Sequence, residues 1–561
     1  MGLSVLNLAV CASLFLAACA GIDRIPSQQA AQTEAQNQQA VQLELPLNLY
    51  PQIFSEIEKE RQAEGPKRHT SKSLGEIESD RVRVLQELQA PDFKSPSKHT
   101  RLLPPKGYPG YSDLQITVSH PYYEKGQLTF PGDLVAEWIN FFKRAQKRIV
   151  VNVFEFDLKE VADVLIEKRK AGLEVRVGMD DKSIGKLLNN RKVVRAKGDK
   201  SGISTADYLR AGGVDVFPVD SVGLNHQKVA AIDWGTPENA WVLFSSGNLT
   251  RSCLDRDGDL AGFSDRPNTS VPNANHVIWM KSFVLANLVN FELSKTLRHS
   301  GALRGSQYPT TGSYQVTGPG VNPQTLEAYP SPSLVISFSP GGALRNINKN
   351  LVADLIENTS GPLRILQFAF ASPEVGTAVL NRAQLEFQER KTFDFIGVGD
   401  TPFAMEKWSQ FLRMSALKKV VGPDKVKRYF EDTDGDFYKA FNADQLTQIR
   451  DKVFIAPRVY GMYHSKIRGR NYESNAKLHH KIVASGDYAI LATSFNLSAS
   501  AENNNEQILI FKDPYLIDAV DGMARYLSES SKTTVYQEYL RRAKNFKAYS
   551  DETKNESDVR D

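Results

Sequence analysis

The feature that most constrains the fold is a repeated order of secondary structure in two long segments. In each segment, apolar runs with strand character alternate with amphipathic stretches of helical periodicity, and the central strands cover residues 148–154 and 364–370. Strands that alternate with helices favour parallel sheets covered on both faces. The sequence therefore predicts an α/β fold of two duplicated αβ(α) sandwich lobes with pseudo-two-fold symmetry, their mostly parallel sheets flanked by helices.

Each segment ends in the same arrangement of chemically active residues. Both copies contain a histidine, a lysine two positions later, an aspartate after the strand, and a serine and an asparagine further on. The residues are His226, Lys228, Asp233, Ser246 and Asn248 in the first copy and His479, Lys481, Asp487, Ser494 and Asn496 in the second. Residues two apart on a strand lie on the same face of a sheet, so each His and Lys can act at one place.

These residue types suit cleavage of a phosphodiester without a metal. Histidine titrates near neutrality and can act as nucleophile or general acid. Lysine adds positive charge at the non-bridging oxygens, and Ser and Asn add hydrogen-bond donors for charge that develops in the transition state. One copy offers a single histidine, whereas two copies facing each other would supply two histidines, two lysines and two asparagines around one phosphorus atom.

The pattern resembles the signature of the phospholipase D superfamily: His-x-Lys, an Asp five residues after the Lys, and a downstream Ser-x-Asn. The resemblance covers roughly residues 113–545. It implies that one histidine attacks phosphorus to form a phosphohistidine, while the other protonates the leaving alcohol and then activates water or an alcohol. We expect His226 to be the nucleophile, and we expect no cofactor and no metal.

The sequence departs from this signature at two places. The position five residues after Lys481 is Gly486, and the acid appears one residue later at Asp487, which we interpret as weakened loop support. Members of the family also place an acid after Ser-x-Asn to orient a histidine, and Glu506 fits that place in the second copy. Aligning residues 275–278 with 505–508 puts His276 there in the first copy, so that the acid is absent or is supplied by Asp259.

The N-terminus predicts export and a lipid anchor. Residues 3–18 form an apolar run of signal-peptide length that ends in a small-residue stretch before Cys19, which resembles a bacterial lipobox, although residues 1–14 contain no Lys or Arg. We expect a chain lipidated at Cys19 and held on the outer membrane, on its periplasmic or surface side. No later stretch has the roughly 18 consecutive apolar residues that a membrane-spanning helix needs.

Composition and segment boundaries complete the predicted organisation. The 69 basic and 65 acidic residues leave a net charge of +4, which excludes a strongly cationic nucleic-acid coat or membrane-binding protein. We expect the following segments: signal peptide 1–19, disordered tether 20–42, helical extension with a Pro-rich connector 43–112, lobe one 113–300, linker 301–332, lobe two 333–545 and charged tail 546–561.

Three functions stay open at this point. The preferred one is a phosphodiesterase acting on the headgroup of phospholipids at a membrane surface, with hydrolysis and transfer to an alcohol both possible. The alternatives are a metal-independent nuclease of the same superfamily and a catalytically weakened phosphate-binding surface lipoprotein. Lys466, Arg468, Arg470 and the basic residues within 418–428 form either a rim that attracts an anion or a solvated loop. Because both half-sites lie in one chain, we expect a monomer.

Overall fold

The computed structural model describes most of residues 111–543. Single residues and short gaps aside, the segments outside the description are 1–110, 189–201, 255–272, 299–312, 317–333, 340–346, 458–465, 472–476 and 544–561. The predictions about the signal peptide, the tether, the N-terminal extension, the linker, the C-terminal tail, Cys19 and Asp259 fall largely or wholly outside the described residues.

The first lobe is an α/β unit built on seven strands. Its strands are β1 (Ser112–Val118), β4 (Arg148–Val153), β5 (Glu174–Asp180), β6 (Asp215–Val219), β7 (Lys228–Ile232), β8 (Trp241–Ser245) and β9 (His276–Lys281), with a separate hairpin of β2 (Tyr122–Glu124) and β3 (Gln127–Thr129). Its helices are α1 (Leu134–Arg144), α2 (Lys159–Lys170), α3 (Thr205–Ala211), α4 (Arg251–Leu254) and α5 (Phe283–Arg298).

The second lobe repeats this plan with additions. Its sheet contains β10 (Ser313–Val316), β11 (Leu334–Ser339), β12 (Leu363–Gln367), β13 (Phe395–Gly399), β16 (Val453–Ile455), β19 (Lys481–Ser485), β20 (Tyr488–Leu491) and β21 (Glu506–Phe511). Its main helices are α6 (Ile347–Asn358), α7 (Pro373–Arg390) and α12 (Pro514–Ser531). The shorter elements are α8 (Thr401–Ala404), α9 (Gln410–Met414), β14 (Leu417–Val421), β15 (Lys427–Glu431), α10 (Asp436–Ala440), α11 (Ala443–Arg450), β17 (Lys466–Ile467) and β18 (Arg470–Asn471).

The order of strands shows the duplication directly. The first sheet runs β1-β9-β8-β7-β4-β5-β6, and the second runs β11-β21-β20-β19-β12-β13-β16 with β10 added at the edge. The two sheets therefore have the same topology, with β7 corresponding to β19 and β9 to β21. The predicted pair of duplicated α/β lobes is confirmed.

The sheets are mixed, and their connections explain why. Pairs β4-β5, β5-β6, β12-β13 and β13-β16 are parallel, because segments that contain helices carry the chain back between these strands. Strands β7, β8 and β9 pair antiparallel, as do β19, β20 and β21. The expected parallel pairing therefore holds only on one side of each sheet, and the motif strands lie on the antiparallel side.

Hydrophobic packing joins the two lobes. One buried cluster contains side chains from both, including Phe244 and Val289 of the first and Leu509 and Leu516 of the second. Two further clusters fill the outer layers, where helices such as α1 bury Trp138 against the sheet. Among the described residues, no helix is both long and apolar enough to cross a membrane.

The loop after each motif strand explains the first departure from the family pattern. Asp233 has φ of +51° and accepts hydrogen bonds from three successive backbone N–H groups, those of Gln146, Lys147 and Arg148, at 2.7–3.0 Å. Gly486 has nearly the same φ, +58°, and a Cβ there would lie 2.7 Å from the Ser360 carbonyl oxygen. An aspartate therefore does not fit in the second copy, and Asp487 instead lines a surface cavity beside Arg364.

Candidate active site

The two predicted half-sites begin their motif strands in equivalent surroundings. His226 lies just before β7 and its ring contacts Phe154, with 5.3 Å between ring centroids. His479 lies just before β19 and contacts Phe368 in the same way, at 4.8 Å. The chain positions that follow the two central strands, β4 and β12, therefore pack against the two motif histidines.

Backbone hydrogen bonds across the seam between the lobes bring the half-sites together. The His226 N–H donates to the carbonyl oxygen of Asn505 in the second lobe, at 3.0 Å. The His479 N–H donates to the carbonyl oxygen of Ala274 in the first lobe, at 2.9 Å. Each motif histidine is thus held by the segment that precedes the last sheet strand of the other lobe.

A carboxylate of the second lobe orients the histidine of the first. Both oxygens of Glu506 lie 3.0 Å from Nδ1 of His226, and the Ser494 carbonyl oxygen lies 3.1 Å from the same nitrogen. All three atoms are acceptors, so Nδ1 carries the proton and Nε2 keeps its lone pair in the neutral ring. Glu506 is fully buried, as expected for a positioning group.

An amide takes the corresponding place for the other histidine. Asn275 Oδ1 lies 3.0 Å from Nδ1 of His479 and accepts a hydrogen bond from Ser246 Oγ at 2.8 Å. Its Nδ2 donates to the Cys253 carbonyl oxygen at 2.8 Å, which fixes the orientation of the amide. His479 Nδ1 is therefore also a donor, and its Nε2 also keeps the lone pair.

The alignment that placed His276 opposite Glu506 is wrong by one residue. The His276 N–H donates to Ser246 Oγ at 2.9 Å, and the Gln507 N–H donates to Ser494 Oγ at 3.1 Å. His276 therefore corresponds to Gln507, and Asn275 corresponds to Glu506. The long segment between Ser246 and β9 obscured this register in the sequence, although the serine contacts settle it.

The two lysines are buried beneath the histidines. Lys228 Nζ donates to the His226 carbonyl oxygen at 2.5 Å, and Lys481 Nζ donates to the His479 carbonyl oxygen at 2.7 Å. Burial lowers the pKa of Lys228 to about 8, and burial together with the Lys228 charge lowers the pKa of Lys481 well below its usual value. A bound anion between them would be strongly stabilised, because few waters screen these charges.

The Ser-x-Asn asparagines are the least symmetric part of the site. Asn248 Nδ2 donates to Glu155 at 3.2 Å, and Glu155 also pairs with Lys186 at 2.8 Å. The Oδ1 atoms of Asn248 and Asn496 are buried, and neither has a hydrogen-bond partner within the described part of the chain. Unpaired buried polar atoms of this kind are uncommon and often mark functional positions.

Two aspartates that sequence reasoning missed fix the start of each motif. Asp180, at the end of β5, accepts the Asn225 N–H at 2.7 Å, and Asp400, directly after β13, accepts the Leu478 N–H at 2.8 Å. The residue before each motif histidine is therefore tied to the neighbouring parallel strand. Burial raises the pKa of Asp400 to about 7. An acid at the end of both equivalent strands was the signal available in the sequence.

The electrostatic surroundings of the two histidines differ. Burial lowers the pKa of His226, but the Glu506 carboxylate opposes the shift. Burial also lowers the pKa of His479, well below its usual value, and the charges of Lys481 and Lys228 add to this effect. Since Asn275 is neutral, nothing at its position offsets them. The His226 ring can therefore carry positive charge at a lower free-energy cost than the His479 ring.

Behind the site, three further histidines form a buried chain across the seam. His120 Nδ1 contacts the Pro121 carbonyl oxygen at 2.7 Å, and its Nε2 lies 2.7 Å from Nε2 of His480. The other nitrogen of His480, Nδ1, lies 3.0 Å from Nδ1 of His276. The two contacts use different nitrogens of His480, so the rings form a chain and do not converge on one point.

The hydrogen bonds determine which nitrogen of each ring carries a proton. A carbonyl only accepts, so His120 donates from Nδ1 and accepts at Nε2 from His480, which in turn accepts at Nδ1 from His276. All three rings are then neutral, and Nε2 of His276 has no hydrogen-bond partner in the described residues. Burial lowers the pKa of His120 to about 4 and that of His276 to about 3.

We predict that the three buried histidines His120, His276 and His480 make the fold sensitive to acid. In the unfolded protein these histidines bind a proton near pH 6.5, whereas in the folded protein they do not. The contribution of the three histidines to the free energy of unfolding is therefore complete above about pH 6.5. It is then lost as the pH falls toward about 4 for His120 and about 3 for His276.

Urea unfolding of the wild-type chain and His276→Gln between pH 7 and pH 4.5 measures this effect. The variant should lose less stability per pH unit, by up to about 1.4 kcal/mol for the one missing titration. The neighbouring titratable groups are the same in both proteins. They are His479, Lys481 and Tyr526, which lie around the three histidines, and Asp400, whose pKa burial raises to about 7. Equal slopes in the two proteins would contradict the prediction.

Comparison with known proteins gives one family match and several distant structural likenesses. Residues 138–275 match the family described as "Cardiolipin synthase, PLD-like domain". No curated protein sequence matches the chain significantly. Among solved structures, phosphatidylserine synthase of Haemophilus influenzae Rd KW20 is 15% identical, with a TM-score of 0.44 over 83% of this chain and 97% of that chain.

Two shorter structures align with about a third of the chain. Nuc of Salmonella typhimurium, a phospholipase D family member, is 13% identical, and NucT of Helicobacter pylori is 16% identical. Each alignment covers 34% of this chain and 96% of the other, with a TM-score of 0.23. The family match covers residues 138–275, the segment that holds His226, Lys228 and Asn248, so this part of the chain is similar to a phospholipase D-like domain.

Proposed function

We propose that this protein is a phosphodiesterase that cleaves or transfers the headgroup phosphodiester of phospholipids through a phosphohistidine intermediate. The observation that carries the proposal is the reciprocal support of the two histidines, in which Glu506 of the second lobe holds His226 and Asn275 of the first lobe holds His479. Each half-site is incomplete without the other lobe, which is the requirement for one shared reaction centre.

His226 is the nucleophile in this proposal. Its Nε2 lone pair attacks phosphorus, the N–P bond forms, and the bond from phosphorus to the leaving oxygen breaks. The phosphorylated ring is positively charged, and the buried carboxylate of Glu506 at Nδ1 stabilises it. No such carboxylate contacts the His479 ring, whose Nδ1 partner is the neutral amide of Asn275.

His479 is the general acid and then the general base. The charge of the bound diester favours protonation of His479, whose pKa is otherwise lowered by burial and by Lys481 and Lys228. Its Nε2–H protonates the leaving alkoxide, and the neutral ring then removes a proton from water or an alcohol. That oxygen attacks phosphorus and breaks the N–P bond. A ring that releases its proton readily suits this role.

The lysines and asparagines bind the phosphoryl oxygens in this mechanism. Lys228 and Lys481 lie beneath the two histidines, fully buried, and the charge of Lys228 contributes to the lowered pKa of Lys481. Their charges stabilise the five-coordinate transition state more than the ground state if they approach the equatorial oxygens, which gain charge as the reaction proceeds. Asn248 and Asn496 add amide groups at the same edge.

Phospholipid is the preferred substrate for two reasons. The family that matches residues 138–275 is described by a lipid-synthesising activity. The expected anchor at Cys19 would also hold the site beside a bilayer. Nucleic acid is the competing phosphodiester, and the experiment must therefore offer both.

The first experiment decides the substrate. The full chain is incubated in EDTA with phosphatidylcholine vesicles, phosphatidylglycerol vesicles or plasmid DNA, beside His226→Ala, His479→Ala and the exposed control Lys170→Ala on α2. We expect headgroup release that falls by about 10³-fold or more in both histidine variants and is unchanged in the control. DNA nicking with intact lipid would identify a nuclease, and phosphate binding without turnover would identify a binding protein.

A second experiment assigns the roles of the histidines. With bis(p-nitrophenyl) phosphate the leaving group needs no proton, so His479→Ala should release one equivalent of p-nitrophenolate per chain and then stall. Mass spectrometry should find the nitrophenyl phosphoryl group on His226, because the base that activates water is missing. His226→Ala should give neither the burst nor the adduct. An adduct on His479 in His226→Ala would reverse the assignment.

A further inference from the structure

The hairpin of β14 and β15 stands apart from both main sheets. Its two strands pair only with each other, from Leu417 opposite Glu431 to Val421 opposite Lys427. The first lobe has no counterpart of this hairpin among its described elements. The catalytic plan that the two lobes share does not account for it.

The hairpin exposes large apolar side chains, three of them at its outer end. Val420 is 46% exposed, Val421 51%, Val426 39% and Phe430 44%. In the described part of the chain only five other large apolar side chains are exposed to this degree, and they are scattered over other elements. Single exposed apolar residues are normal, but a concentration in one short hairpin marks an interaction surface.

The base of the hairpin is firmly attached, in contrast to its outer part. Leu417 is buried, and Lys419 is buried and pairs with Glu406 at 2.8 Å. Tyr429 accepts a hydrogen bond from Arg542 at 2.6 Å, and Glu431 accepts one from Tyr536 at 3.0 Å. The hairpin is therefore firmly attached at its base, its far end carries Val420, Val421 and Val426, and Phe430 is exposed nearer the base.

Basic residues surround this apolar end. The stretch 417–431 contains five basic and two acidic side chains, and Lys427 is exposed directly opposite Val421. On the outward face Lys418 stands opposite Phe430, and Arg428 stands opposite Val420. Apolar and cationic side chains thus alternate over this outward face, while Val421 and Lys427 project from the opposite face at the outer end of the hairpin. This is the composition found in segments that enter the interface of an anionic bilayer.

A row of aromatic contacts connects the hairpin segment with the active site. Phe368, which contacts the His479 ring, also contacts Phe403 at 4.7 Å, and Phe403 contacts Trp408 at 5.7 Å. Glu406, the ion-pair partner of Lys419, lies in the same segment between Phe403 and Trp408. The hairpin is therefore anchored to the segment that also packs against Phe368, the ring in contact with His479.

We propose that the exposed surface of the hairpin, formed by Val420, Val421, Val426 and Phe430 with Lys427, docks on the surface of an anionic phospholipid bilayer. This inference rests on the proposed function, because docking would bring the active site to a phospholipid substrate. The apolar side chains enter the interfacial region, while the basic side chains stay at the level of the phosphates.

Two other partners fit less well. A second copy would bring like charges together in a symmetric contact, and a nucleic-acid backbone offers no apolar surface for the valines and Phe430.

The test places an environment-sensitive fluorophore at Val421→Cys, with Leu385→Cys on α7 as the matched control. The two native side chains are 51% and 50% exposed, and Leu385 lies on a helix of the same lobe. Both proteins are full chains with Cys11 and Cys19 replaced by Ser, and Cys253 is buried. The N-terminus is thus identical in the two proteins.

With phosphatidylglycerol vesicles, we expect blue-shifted emission and quenching by acyl-chain quenchers at position 421 only. Phosphatidylcholine vesicles should give a weaker response, and added salt should reduce it, since charge screening weakens the basic contacts. A probe at 421 that stays in water like the one at 385 would overturn the proposal. A shift without vesicles that depends on protein concentration, or a response to DNA alone, would overturn it as well.

An unlabelled variant separates docking from chemistry. Val421→Ser with Phe430→Ser should lower turnover on phosphatidylglycerol vesicles about tenfold, through the lost apolar burial. Turnover of soluble bis(p-nitrophenyl) phosphate should be unchanged, because neither residue belongs to the site. Unchanged turnover on vesicles would overturn the proposal. If the chain cleaves no diester at all, the proposed function fails, whereas the fluorescence test still decides docking.

Discussion

The exchange of supporting side chains across the seam between the lobes is the interaction on which the site depends. Glu506 belongs to the second lobe but fixes the ring of His226, and Asn275 belongs to the first but fixes the ring of His479. The backbone hydrogen bonds from His226 to Asn505 and from His479 to Ala274 set the register of this exchange. A small shift between the lobes would misplace both rings at once. The hydrophobic cluster shared by the two sheets therefore helps to hold the two motif histidines in place.

Duplication supplied two equivalent half-sites, and a few substitutions have made them different. A carboxylate supports one histidine and an amide the other, so one ring tolerates positive charge and the other disfavours it. Glu155 contacts Asn248 in the first lobe, while the equivalent position after β12 is Ala369. A symmetric pair could not assign separate tasks to its two histidines. The differences in charge make such a division possible.

Much of the fold and the core of the site could be predicted from the sequence because both depend on local patterns. Period-two strands, helical stretches and the spacing of His226 with Lys228 and of His479 with Lys481 are visible within short windows. The prediction failed where distant contacts decide. The register that pairs Asn275 with His479 depends on a serine contact across a long insertion. The antiparallel pairing of the motif strands β7 and β19 with β4 and β12 joins segments that lie far apart in the sequence. The histidine chain joins residues 120, 276 and 480, which no local pattern connects.

The central claim, that two imidazoles from different lobes serve one phosphorus atom, can be tested most directly by the stoichiometry of anion binding. Titration calorimetry of the full chain with inorganic phosphate at neutral pH should give one site per chain. Replacement of either His226 or His479 by Ala should abolish that single binding event. Two sites per chain, with each replacement removing one and leaving the other intact, would show that the half-sites work separately and would contradict the account.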